Sequence, residues 1–327
     1  MNFCLKVARK GPCYVSLRKI FDKAYLDSNV FRQRKKLFAE SYKEENLFGK
    51  YQKNGSEAFS SEEIQALLYG VNSQKDFKIA CEVVKNELNL GFRHSHKINH
   101  ILNVFFWICY KRNFHKEARD IFGKLDNVEN YHVKNRYFGL LYKMEMYDEL
   151  IEDIEGLENQ SADDILHLMA AYYKKEGNDF SYEKAKNLVV KAHKKGRCAF
   201  IFCLYSIKQG QFEDAKKAND YIQRMNFVRH PFVTNLQIYY LLKSNQADLA
   251  LDTLVNFSVM SQKRWNTGNQ LEISMENLEL LKDGISKNHD ICKELIHDLV
   301  STQRVTPKTV EEMVFTPINK ELKNKER

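Results

Sequence analysis

Proline is nearly absent: the 327 residues contain four, at positions 12, 231, 307 and 317, so residues 13–230 contain none. A long proline-free stretch rich in Leu, Lys, Glu and Ala suits helices, because proline removes a helix N–H and clashes with the preceding turn. Acidic residues are missing from the first 21 positions, which carry Lys6, Arg9, Lys10, Arg18 and Lys19, leaving +3 of the total +8 for the remainder. Bulk charge therefore gives little support to nucleic-acid binding, and a basic surface has to come from local segregation. Long apolar runs are lacking too. The longest uncharged runs, 98–110 and 230–242, are thirteen residues each, against roughly 18–20 for a bilayer span, so membrane insertion is not expected. The seven cysteines are odd in number and include no C-x-x-C, which excludes a disulfide framework and points to a reducing compartment. No G-x-x-x-x-G-K-[ST], H-E-x-x-H or G-x-S-x-G is present, so no enzyme, catalytic residue, metal site or cofactor is expected. His94, His96 and His100 have poor ligand spacing for a helix and are expected to be structural or solvated.

What is present is a period. An aromatic residue followed about one turn later by a small one recurs along the chain: Phe77 before Ala80, Phe114 before Ala118, Tyr182 before Ala185 and Phe212 before Ala215. Tyr147 before Leu150 and Ala247 before Ala250 are variants with one member replaced. The second members lie 38, 32, 35, 30 and 35 residues apart, a mean of 34. That period with helical patterning predicts an all-α fold, a tandem helical-hairpin solenoid of about six to seven hairpins. The small residue lets helix B approach helix A, and the aromatic fills the groove to the next repeat.

The pattern divides the chain into an acid-free segment 1–21, a basic helical segment 22–59, a repeat array 60–258, a loop 259–270, capping helices 271–318 and a charged tail 319–327. Ser60-Ser61-Glu62-Glu63 predicts a capping-box start. Helices are expected at 114–125, 131–144, 147–157, 162–175, 181–194, 197–208, 212–225, 232–243, 247–258, 271–285 and 289–302. Thr306-Pro307 is expected to cap a last short helix. Residues 1–21, where basic residues alternate with Phe3, Leu5, Val7 and Val15, suit a mitochondrial presequence; the alternative is a frayed cytosolic N-terminus.

A period of 34 does not separate peptide-binding tetratricopeptide repeats from RNA-binding pentatricopeptide repeats. Counting back fifteen residues from the small residue of helix B gives Asn103, Asn135 and Asn235, with Gln65 and Phe200 in two other frames and His167 in the last once the longer turn at 177–179 is allowed for. Asn is a mediocre helix-interior residue, so its recurrence marks either a contact or a cap. The stretch from Asn103-Val104-Phe105-Phe106 through Lys111-Arg112-Asn113-Phe114 to Phe122 resembles a pentatricopeptide repeat, and Val233-Thr234-Asn235 resembles the start of another. Tyr25 to Val30 leading into Arg32, Arg34, Lys35 and Lys36, Glu63 to Val84, and Val305 to Pro317 are similar to animal mitochondrial members of that family.

The resemblance implies a mitochondrial matrix protein that binds single-stranded RNA and assists transcript maturation, with RNA-processing proteins as further partners. It implies base contacts from Asn103, paired with Asn130, and from Asn135 and Asn235. Phe200 has no edge to read with, and the inter-repeat proline is missing, so readout along the whole array is not expected. Phosphate contacts are expected from Lys191, Lys194, Lys195 and Arg197, within a basic stretch that also holds Lys184, Lys186, Lys208, Lys216 and Lys217. Tyr137, Tyr172, Tyr173, Tyr205, Tyr239 and Tyr240 interleave as stacking candidates, or belong to the core. The alternative function is a tetratricopeptide-like protein-binding scaffold in a mitochondrial assembly.

Overall fold

The computed structural model describes residues 22–42, 46–54, 59–89, 96–125, 131–175, 179–191, 196–224, 231–262, 272–285 and 289–315. These residues form seventeen α-helices and one pair of two-residue strands, so the fold is all-helical. The helices are α1 (Asp22–Ser41), α2 (Leu47–Asn54), α3 (Ser61–Tyr69), α4 (Gln74–Asn89), α5 (His96–Arg112), α6 (His115–Phe122), α7 (Tyr131–Lys143) and α8 (Tyr147–Glu155). They continue with α9 (Ala162–Lys174), α10 (Asp179–Lys191), α11 (Gly196–Lys208), α12 (Phe212–Arg224), α13 (Pro231–Lys243) and α14 (Ala247–Gln262). The chain closes with β1 (Ile273–Ser274), α15 (Met275–Gly284), α16 (His289–Ser301), β2 (Val305–Thr306) and α17 (Val310–Phe315).

Odd-numbered helices pack on one another in chain order, α3 on α5, then α7, α9, α11, α13 and α15, and each also packs on the even-numbered helix that follows it. The small residues of the periodic motif sit where helices meet: Ala80, Ala118, Leu150, Ala185, Ala215 and Ala250 are all fully buried. Aromatic rings join successive pairs. Phe114 stacks on Phe77 with centroids 4.0 Å apart, and Phe122 on Tyr137 at 4.1 Å. Phe212 departs from the motif, being 37% exposed.

Four odd-numbered helices end in the same turn. Asn113, Glu145, Gly210 and Asn245 take φ of 61°, 59°, 69° and 59°. The N–H of the following residue reaches back to the carbonyl five positions earlier: Phe114 to Cys109 (3.0 Å), Met146 to Leu141 (3.0 Å), Gln211 to Ser206 (2.8 Å) and Gln246 to Leu241 (2.8 Å). This is the Schellman closure, in which one left-handed residue satisfies the carbonyls left over at a helix end. The stretch 176–178 that follows helix α9 lies outside the described residues.

The N-terminal signals behave as expected at Ser60, whose hydroxyl accepts from the Glu63 N–H while the Glu63 carboxylate accepts from the Ser60 N–H. The C-terminal end differs from expectation. Val305–Thr306 is a strand paired in parallel with Ile273–Ser274, and the last helix starts four residues later. Its cap is Thr309, whose hydroxyl accepts from the Glu312 N–H at 3.1 Å while Glu312 accepts from the Thr309 N–H at 2.9 Å. Thr306-Pro307 reads as a helix start because the dipeptide fits one, but strand pairing with a partner 32 residues away overrides the local preference. Helix α14 also runs through Gln262, into the stretch expected to be loop; the rest of that stretch, and the segments 1–21 and 319–327, lie outside the described residues.

Candidate nucleic-acid interface

Four odd-numbered helices carry side chains at a shared register, buried on α11 except at its lysine and, on α5, partly covered by α1, where Phe31 stacks on Trp107 at 3.5 Å. Asn103, Trp107, Tyr110 and Lys111 lie at i, i+4, i+7 and i+8 on α5, a spacing that places them on one side of the helix. Asn135, Gly139, Tyr142 and Lys143 repeat the register on α7, Phe200, Leu204, Ile207 and Lys208 on α11, and Asn235, Tyr239, Leu242 and Lys243 on α13. Each lysine falls in the last turn of its helix, and Lys174 does the same on α9. There a cation complements the helix dipole.

The five lysines form a row in which each ammonium lies over a ring: Lys111 over Trp107 (5.3 Å), Lys143 over Tyr110 (5.0 Å), Lys174 over Tyr173 (5.7 Å), Lys208 over Tyr173 (5.1 Å) and Lys243 over Tyr239 (5.4 Å). Two of these contacts, Lys143 and Lys208, reach the ring of the preceding odd-numbered helix, so they also tie neighbours together. Lys143 donates to the Tyr110 carbonyl at 3.0 Å. Lys111, Lys143 and Lys243 form no ion pair among the described residues. Partial burial, and then the charge of Lys111, lower the pKa of Lys143. Burial and the Arg112 guanidinium do the same for Lys35 on α1, which donates to the Asn72 side chain at 2.8 Å. Cations held this close together make a place where an anion is favoured.

The sequence-derived candidates divide against this geometry. Asn103 and Asn135 lie on the row face and are half-buried. Arg136 donates to the Asn103 side-chain oxygen at 3.2 Å and to its backbone carbonyl; the Asn103 amide group and the whole Asn135 side chain have no partner among the described residues. Asn235 is a correction. It is completely buried, its amide donates to the Glu272 carbonyl at 2.9 Å, and its oxygen accepts from the Ser274 N–H at 2.7 Å and from Asn277 at 3.1 Å. The register is right, but strand β1 and helix α15 cover that position and consume its hydrogen-bonding edge, so it is a structural tie and not a base contact.

Arg197 is a second correction: it is 5% exposed, and burial pushes its guanidinium down to about 10, so it does not present its charge at the surface. Asn130, Lys194 and Lys195 lie outside the described residues, as does the side chain of Lys191, the last residue of α10. Other members of that basic stretch are neutralised. Lys184 pairs with Glu155 at 2.6 Å, Lys186 with Asp214 at 2.6 Å, and Lys217 with Asp214 at 3.7 Å. Of the six tyrosines, Tyr137, Tyr172, Tyr173, Tyr205 and Tyr240 are buried in the core; Tyr239 is half-exposed. The sequence does hold a signal for the row, a lysine at 111, 143, 174, 208 and 243, at intervals of 32, 31, 34 and 35. It is invisible as a cluster because its members lie more than thirty residues apart.

Among the described residues no group of three His, Cys, Asp or Glu is placed to hold a metal, and no helix is long and apolar enough to cross a membrane. No protein-family model, curated protein or solved structure matches the chain.

Proposed function

We propose that the chain is an RNA-binding helical-repeat protein of the mitochondrial matrix, whose hairpins stack as a pentatricopeptide-like solenoid and which assists maturation of mitochondrial transcripts, thereby supporting the respiratory chain. The observation that carries the reading is the row of lysines and rings along the odd-numbered helices. Cations at a fixed step hold a phosphate backbone, and rings beside them stack bases without demanding a sequence. Asn103 and Asn135, half-buried beside the row, supply amide edges for base contact. The near-constant interval and the recurring Schellman turn support the solenoid, and the acid-free segment 1–21 supports mitochondrial import.

A second reading, a tetratricopeptide-like protein-binding scaffold, is favoured by one contact: helix α17, which carries Glu311, Glu312 and Phe315, docks on the row face of α11 and α13. An acidic peptide helix is thus already accepted there. The two readings separate by fluorescence anisotropy with a 20-nucleotide single-stranded RNA and with a synthetic peptide of the sequence 308–316. The RNA reading expects RNA to bind at moderate salt with an affinity that falls as salt rises, because phosphate contacts release counterions. Peptide binding with no RNA binding establishes the scaffold.

A further inference from the structure

Helix α17 lies across the row where α9, α11 and α13 contribute to it. The Glu311 carboxylate accepts from the Tyr173 hydroxyl at 2.7 Å and from the Lys174 ammonium. The Phe315 ring lies 5.3 Å from Tyr173 and 6.5 Å from Tyr142, with Lys174 over its face at 5.2 Å. A carboxylate on a lysine and a ring among tyrosines are the contacts that a phosphate and a base would make on the same surface. The fit is incomplete: a cavity of about 350 Å³ remains between α17 and the face, lined among others by Tyr173, Lys208, Tyr239, Lys243, Glu276 and Glu311.

The anchoring of α17 is one-sided. Just before it, β2 pairs with β1, the Ser274 hydroxyl donates to the Lys308 carbonyl at 2.6 Å, and Glu276 accepts from the Val310 N–H at 2.8 Å. The helix itself has only six residues, too few to persist without its contacts. Val310 at its start is buried with the anchor; beyond it the contacts are Val314, which is buried, Met313, which is partly buried, and the Glu311 and Phe315 interactions.

We infer that α17 is a displaceable internal ligand that occupies the α9–α13 part of the row, and that single-stranded RNA binds there by displacing it. This rests on the RNA reading above. The anchor at 305–310 stays paired while the arm from Glu311 onward leaves, exposing Tyr173, Lys174, Lys208 and Lys243 to phosphates and bases. Without displacement RNA has only the α5–α7 part.

Hydrogen exchange on the unmodified protein tests this, with a 20-nucleotide polyuridine as the probe. Saturating RNA is expected to speed exchange of the 311–315 amides at least tenfold while the β1–β2 amides hold. Unchanged or greater protection of 311–315 with RNA bound overturns the inference. In parallel, the double variant E311Q/F315A is expected to bind the same RNA several-fold more tightly, because the competitor is weakened. A folded double variant that binds equally or less tightly also overturns it. No RNA binding by either protein overturns the RNA reading and this inference together, a result distinct from the first two.

Discussion

Single residues decide how much of the buried face tolerates charge. Ala118 and Ala215 are fully buried between helices, so A118E or A215E places an uncompensated carboxylate in the core and is expected to cost about 3–5 kcal/mol. Thermal melting checks this, and wild-type melting of both variants would refute the packing. Asn235 acts through hydrogen bonds instead. N235A orphans the Ser274 N–H and is expected to cost about 1–3 kcal/mol, while leaving any preference among RNA sequences unchanged; an altered preference would restore Asn235 as a base contact.

His167 sets a pH dependence. It is completely buried, its ring donates from Nδ1 to the Asp163 carbonyl at 2.8 Å, and burial lowers its pKa below the usual 6.5. Above that value both folded and unfolded states hold it neutral. As pH falls below it the unfolded state takes up a proton that the folded state resists, so stability drops. H167N is expected to flatten this step between pH 7.5 and 5, read from melting temperatures across the range.

At the scale of the element, most of the helical pattern is legible in the sequence. Helices α7 to α13 start and stop within about three residues of the expected positions, because their apolar periodicity and turn residues agree. The Schellman turns are not legible as such, since only one of the four left-handed positions is glycine. Glu145 occupies a conformation that costs an L-residue about 1 kcal/mol, so E145G is expected to stabilise by about 0.5–1 kcal/mol. At Gly210 an added Cβ meets nothing within 4 Å, so G210A is expected to destabilise by about 1 kcal/mol from backbone strain alone. Denaturant midpoints measure both. Stabilisation by G210A together with destabilisation by E145G would show that the turn is not a shared device. Strand β2 escapes sequence reading because two residues carry no period; only pairing with Ile273–Ser274 defines it.

At the scale of the whole molecule, local charge density in the sequence misleads. The richest basic stretch, around Lys184 to Lys217, is largely spent on Glu155 and Asp214 or, at Arg197, buried. Lys111, Lys143 and Lys243, which form no ion pair among the described residues, belong to different helices and come into one row only because successive odd-numbered helices pack side by side. The asparagine register is legible, and folding keeps two of its three members accessible and covers the third. Removing residues 1–21 is expected to abolish mitochondrial uptake without altering the melting temperature; normal uptake would refute the targeting proposal.

The proposed function turns on the lysine row. Single-stranded RNA binding measured at two or more salt concentrations compares K111A/K143A/K243A with K184A/K186A/K217A. The first set is expected to weaken RNA of every sequence and to reduce the salt slope by about 2, at about 0.7 for each single-strand phosphate that is no longer neutralised; the second set is expected to leave the slope unchanged. A full salt slope in the first set, or a reduced one in the second, would contradict the assignment of RNA to this face.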